Sequence, residues 1–149
     1  MNEMTPSSTL IIDANVALSL VLYYPNSDAI NRLWVDWVQR NVEITAPQLW
    51  IYEVTSAIHK LFMLNQISRE SAKAALEAIL SLDVRLVEVD YNMCQSAYDW
   101  ATRLNQLATY DSFYLALAER MDAEFWTSDR HLVNAVRQLG VGWVYLLGN

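Results

Sequence analysis

Four acidic residues, Asp13, Glu53, Asp111 and Asp129, carry the chemistry this sequence can offer. Asp13 follows the apolar run Thr9-Leu10-Ile11-Ile12, and Asp129 follows Phe125-Trp126-Thr127. Asp111 opens a segment, Phe113 to Ala118, that is apolar on every side of a helix. Glu53 sits beside a helical apolar stripe, between Trp50 and Ala57. A carboxylate carried into apolar surroundings is costly unless a positive partner compensates it. Four that converge form a hard-oxygen site suited to Mg²⁺ or Mn²⁺. At a separation of ~5 Å and an effective dielectric of ~20, each pair repels by about 3 kcal/mol. Such a group either takes up protons or holds a divalent cation, which lowers the pKa of a bound water and stabilises charge on a phosphodiester. Each acid also has an ordinary reading: Asp129 as a helix N-cap, Asp111 as a complement to a helix dipole, Asp13 as a turn residue, Glu53 on a solvated helix edge.

Other chemistries are excluded by composition. Glycine occurs only at 140, 142 and 148, so neither a dinucleotide fingerprint nor a phosphate-cradling loop can form. One cysteine and two separated histidines do not make a structural zinc site, and no glycine-flanked serine supports a hydrolase elbow. The net charge of −7, from 10 Lys and Arg against 17 acids, sits badly with phosphate binding by basic residues. A nucleic-acid substrate would therefore need a local arginine patch or a bound cation. Cys94 cannot form an internal disulfide, Met1 to Thr9 carries no Lys or Arg, and Ala14 to Tyr24 is too short an apolar run to span a bilayer. A soluble, cytoplasmic protein with no membrane association is expected.

Strands and helices alternate along the chain to position these acids. The first strand is expected to end at Asp13, followed by a helix from about Asn15 to Tyr23 that Pro25 stops. Ser27 or Asp28 is expected to cap the next helix, with the stripe Ile30, Leu33, Trp34, Trp37 and Val38. Val42 to Ala46 reads as a second strand ending before Pro47, and Gln48 to Leu64 as a third helix. Ser68 caps a fourth helix through Leu80; Val84 to Val89 alternates as a strand; Asp90 caps a fifth helix reaching Leu104. A sixth helix carries Asp111, a strand over Phe125–Thr127 follows, Asp129 starts a seventh helix, and Gly142 to Leu147 forms the last strand. This pattern predicts one α/β domain over residues 1–149 with residues 1–8 flexible. Its core is a mostly parallel sheet of about five short strands with about seven helices on both faces. In such sheets functional groups gather beyond the carboxyl ends of the strands, where strand order reverses.

The segments Ile11-Ile12-Asp13-Ala14-Asn15, the helical Glu53, Tyr110 to Ala118 and Thr127-Ser128-Asp129-Arg130-His131-Leu132 resemble the PIN-domain ribonucleases. Among these the chain is similar to the VapC-type toxins of toxin–antitoxin pairs, in order and spacing from about Leu10 to Leu147. The resemblance implies a PIN-like three-layer sandwich. It also implies a Mg²⁺- or Mn²⁺-dependent endoribonuclease that cuts RNA, is inhibited by a cognate antitoxin and forms a homodimer. By position, Asp13, Glu53, Asp111 and Asp129 would be its catalytic, metal-holding quartet. Asn15 stands where such enzymes often have Ser or Thr, and Thr127 matches the Thr of the last motif; both would assist at the substrate.

Smaller assignments concern the surroundings. Arg130, Arg32 and Lys60 are candidate phosphate contacts, set against solvated-face roles. His59 and His131 read as helix-surface or helix-start residues. Trp50 and Tyr52 could stack unpaired bases or pack in the core. Trp34 and Trp37 could mark a groove for a partner or a dimer seam, or lie buried. Two other functions share the same residues: a non-catalytic binding module with vestigial acids, and a structure-specific DNA nuclease.

Overall fold

The computed structural model describes residues 8–148. Five strands among them pair in parallel in the order β3-β2-β1-β4-β5: β1 (Thr9–Ile12), β2 (Glu43–Pro47), β3 (Arg85–Val87), β4 (Glu124–Thr127) and β5 (Val144–Leu146). Seven helices connect and flank them: α1 (Ala14–Val21), α2 (Ser27–Gln39), α3 (Leu49–Met63), α4 (Arg69–Leu80), α5 (Tyr91–Arg103), α6 (Tyr110–Met121) and α7 (Arg130–Gln138). Leu10, Ile11 and Ile12 point alternately to opposite faces of the sheet, yet all three are buried. Ile44, Thr45 and Ala46 repeat this on β2, so the central strands are covered on both sides and the fold has three layers. The sheet is wholly parallel. The flexibility expected for residues 1–8 falls, except at Ser8, outside the described residues; the Ser8 carbonyl accepts from Glu43 N–H at 3.0 Å.

Strand order decides where a site can form. From β1 the chain steps outward through β2 to β3, then returns to the other side of β1 for β4 and β5. The reversal lies between β1 and β4, whose registers pair Leu10 with Glu124 and Ile12 with Trp126. One further bond, from Asp13 N–H to the Trp126 carbonyl at 3.3 Å, carries the contact past the last residue of β1. Helix α6 packs across β1, β2 and β4, and its residues Ser112 and Tyr114 to Ala118 are buried, as an all-apolar helix requires.

Several expected boundaries shift. Neither Ser27 nor Asp28 caps α2: Asn26 is the capping residue and makes no side-chain cap bond. Ser27 instead turns its hydroxyl back to the Leu22 carbonyl at 3.1 Å and accepts from Tyr24 N–H at 2.8 Å, which ties down the loop holding Pro25. Val38, placed in the buried stripe, is 58% exposed, because the apolar face of α2 ends at Trp37. The strand expected over Val84–Val89 pairs only at Arg85–Val87, an edge where Leu86 and Val89 remain exposed and a longer ladder would bury little. Pro47 closes β2 rather than following it, and the last strand narrows to Val144–Leu146. Trp37 is buried edge-to-face between Trp34 and Trp126, and Trp126 stacks on Tyr145, so Trp37 belongs to a continuous aromatic cluster, one side of which borders a cavity with Leu33 and Met121.

Candidate active site

Beyond the carboxyl ends of β1 and β4 lies a cavity of about 170 Å³. Asp13, Glu53, Asp111 and Asp129 all line it, with Asn15, Tyr114 and Thr127 among the remaining walls. Four segments far apart in the sequence thus meet at the sheet reversal. No Lys, Arg or His is among the lining residues. Three ion pairs seen among the described residues join other acids: Arg40–Asp36, Arg85–Glu43 and Arg120–Asp90.

Asp13 is held most firmly. It is the N-cap of α1, accepting from Val16 N–H at Oδ1 (3.1 Å). Its Oδ2 accepts from the Thr127 hydroxyl (2.6 Å) and from Ser128 N–H (3.4 Å), and the Trp50 indole N–H reaches its backbone carbonyl (3.3 Å). Surrounding protein desolvates the carboxylate and pushes its pKa up from 3.8 to about 6; the bonds from Thr127, Val16 and Ser128 oppose that rise without cancelling it. Asp129 caps α7 through Leu132 N–H to Oδ1 (3.0 Å), while its own N–H donates to Thr127 Oγ1 (3.0 Å). Thr127 is buried and its hydroxyl bridges two acids, giving its hydrogen to Asp13 and accepting from Asp129.

The remaining two acids come from helix faces. Glu53, half-buried on α3, accepts a 2.6 Å bond from the Tyr114 hydroxyl at Oε1. Desolvation raises its pKa, the Tyr114 bond lowers it, and the Asp111 charge raises it further. Asp111, in the first turn of α6, is exposed at the cavity mouth rather than sunk among apolar neighbours, and among the described residues no donor bonds its carboxylate. Its pKa is raised first by desolvation and then by the charge of Asp129. Charge repulsion therefore links Glu53 with Asp111 and Asp111 with Asp129, whereas Asp13 is set by burial and hydrogen bonds.

The donor set is all hard oxygen, and among the described residues no donor bonds Asp111, Glu53 Oε2 or Asp129 Oδ2, which fits a divalent cation. Among the described residues no three acidic, His or Cys side chains stand close enough together to grip an ion at once. The four border one cavity; they do not form a closed ligand shell. Like charges held apart by caps and tethers would adopt this spacing.

Other assignments separate by position. Asn15 is exposed on the first turn of α1 at the cavity wall. Arg130 is exposed at the start of α7, and Arg32, Lys60, His59 and His131 are exposed away from the lining. Trp50 is buried, so it packs in the core; Tyr52 is exposed. Sequence reasoning overlooked Tyr114 as a polar group. The available signal was a hydroxyl three residues after Asp111 in an otherwise apolar helix, where a buried phenol must find an acceptor.

Residues 10–137 match the family described as PIN domain. Ribonuclease VapC1 of Mycobacterium tuberculosis is 34% identical over 97 residues, 60% of this chain and 65% of that protein, so the match spans just under two thirds of the relative. Among solved structures, M. tuberculosis VapC20, a sarcin-ricin loop cleaving toxin, superposes with a TM-score of 0.63 at 17% identity over 85% of this chain and 94% of its own. VapBC2 of Rickettsia felis, bound to a DNA fragment from its promoter, gives 0.68 at 13% identity over 93% and 98%. FitAcB of Neisseria gonorrhoeae gives 0.68 at 13% over 91% and 96%. At these identities the structures establish a shared fold.

Proposed function

This chain belongs to the PIN domain family, and from that premise we propose that it is a Mg²⁺- or Mn²⁺-dependent endoribonuclease, the toxin of a toxin–antitoxin pair. The observation that carries the reading is the meeting of Asp13, Glu53, Asp111 and Asp129 in one cavity at the sheet reversal. The likeness to Ribonuclease VapC1 supports RNA as substrate, and the likeness to the toxin–antitoxin complexes from R. felis and from Haemophilus influenzae supports an antitoxin partner. We extend the reading to a homodimer working in the cytoplasm.

Asp13, Glu53, Asp111 and Asp129 would hold the ion. Bound there, it supplies a more acidic water and stabilises charge on the phosphodiester during in-line attack. The chain's own groups prepare that chemistry. The α1 and α7 caps fix one oxygen of Asp13 and one of Asp129. Thr127 couples those two acids and, being buried with its hydrogen given away, is assigned to positioning them rather than to touching substrate. The Asn15 amide, exposed at the wall, can donate to a phosphate oxygen without adding charge, and Arg130 can reach a neighbouring phosphate from the start of α7. With no basic side chain lining the cavity, neutralisation of the scissile phosphate falls to the ion.

The test is cleavage of single-stranded RNA, with matched single-stranded DNA beside it, in Mn²⁺ or Mg²⁺ and in excess EDTA. RNA should be cut only with the metal, and both Asp13→Asn and Asp111→Asn should abolish cutting with the fold intact by circular dichroism. Cutting that persists in EDTA removes the metal mechanism. A preference for DNA overturns the substrate, and absence of both cutting and divalent-ion uptake leaves a binding module.

A further inference from the structure

Among the described residues neither Glu53 nor Asp111 has a side chain held by its own helix, and of these two only Glu53 is held from another element. Asp13 and Asp129 are pinned as N-caps, and Asp111 has a short side chain in the first turn of α6. Glu53 projects from the middle of α3 on a longer, more flexible stem, half-buried, with Asp111 repelling it. Left alone it would gain rotamer freedom and hydration by swinging outward. One contact opposes this, the 2.6 Å bond from the Tyr114 hydroxyl to Glu53 Oε1. The donor cannot move to follow a departing carboxylate. Its ring is 2% exposed and stacks on Phe125 of β4 with centroids 5.5 Å apart and planes 16° from parallel. Asp111 and Tyr114 lie three residues apart on one face of α6, so a single turn supplies both an acid and the anchor for the acid opposite.

We propose that Tyr114 is a positioning residue that tethers Glu53 toward the cavity, pre-setting a divalent-ion site that α3 alone would leave loose. This rests on the reading of the acidic quartet as a metal site. The ordinary account is that a buried phenol satisfies itself on the nearest acceptor. The two differ in what the bond does for the ion: a merely structural bond changes folding stability, whereas a tether changes ion affinity through Glu53 alone.

Tyr114→Phe removes the hydroxyl and keeps the ring on Phe125. In the full-length chain, Mn²⁺ titrated by calorimetry should bind about tenfold or more weakly to Y114F than to wild type, the range for loss of a group that orients a metal ligand. The metal-free variant should keep a wild-type circular dichroism spectrum and a cooperative melt. Glu53→Ala and the Y114F/E53A double variant should bind Mn²⁺ alike, because without the carboxylate the hydroxyl has nothing to tether. Wild-type affinity in Y114F overturns the proposal, as does an equal loss from Y114F with and without Glu53. If wild type takes up no Mn²⁺, the quartet reading falls and this inference with it. If wild type binds and Y114F matches it, only the tether falls.

Discussion

Asp13 is stabilised as a carboxylate by three hydrogen bonds and destabilised by its surroundings, and the second effect wins. A pKa raised from 3.8 to about 6 means the folded, metal-free protein holds a proton that the unfolded chain has released across that interval. The unfolded state binds fewer protons there, so stability falls as pH rises from about 4 to about 6 and levels off above. The size is on the order of 3 kcal/mol for Asp13 alone. Glu53, also raised, adds in the same direction; Asp90, lowered first by its hydrogen bond from Arg120, opposes it weakly from an exposed position. Urea unfolding in EDTA between pH 4 and 8 should show that decline, and a rise through the same window would refute the burial of Asp13. Asp111 gives a cleaner single-residue test, since among the described residues no donor would be orphaned by its loss and Asp129 repels it. Asp111→Asn should raise the metal-free melting temperature slightly while abolishing RNA cleavage, a trade of stability against function. Its type and its place in the Tyr110 to Ala118 segment were legible in the sequence. Its exposure was not, because periodicity reports which face a residue shares and not how far the neighbouring wall extends.

At the scale of elements, capping and ion binding are the same geometry used twice. Asp129 accepts from Leu132 N–H at Oδ1, and among the described residues no donor bonds Oδ2, so the N-cap reading and the site reading are compatible. Two substitutions separate them. Asp129→Ala removes cap and charge together and should cost about 1 kcal/mol of stability as well as cleavage. Asp129→Ser keeps a capping oxygen and should hold stability near wild type with cleavage still lost, as read by urea unfolding beside an RNA assay. Ser68→Ala, at the α4 cap remote from the cavity, should cost a similar amount of stability and leave cleavage untouched. The caps of α4, α5 and α7 follow from Asp or Ser standing before a periodic run, whereas Asp13, expected as a turn residue, also caps α1. The α2 cap failed that rule because the Ser27 hydroxyl had a better use behind it, on a loop whose path only tertiary structure sets. Edge strands were overextended for a related reason. Alternation in Val84–Val89 marks residues able to pair, and β2 offers partners to only three of them.

Across the whole molecule, the acid surplus and the sheet reversal point to one remedy. Strand order gathers the carboxylates, and no basic side chain lines the cavity to balance them. An ion that binds only the folded state raises its stability by RT ln(1 + [L]/Kd), about 2.7 kcal/mol at a hundred times Kd. Mn²⁺ or Mg²⁺ should therefore raise the melting temperature of the wild-type chain, and added NaCl at matched ionic strength should not reproduce the effect. The increment should depend on pH. Below about 5 the ion must displace the proton that Asp13 holds, so the gain should be small; above about 7 that proton has already gone and the gain should be full. The metal therefore restores most stability where the free protein is weakest, and the declining metal-free curve should flatten when the ion is present. Melting curves at pH 5 and 7.5, each with EDTA and with Mn²⁺, suffice to check it. An increment equal at both pH values would mean that the ion binds without Asp13, on the outer acids alone.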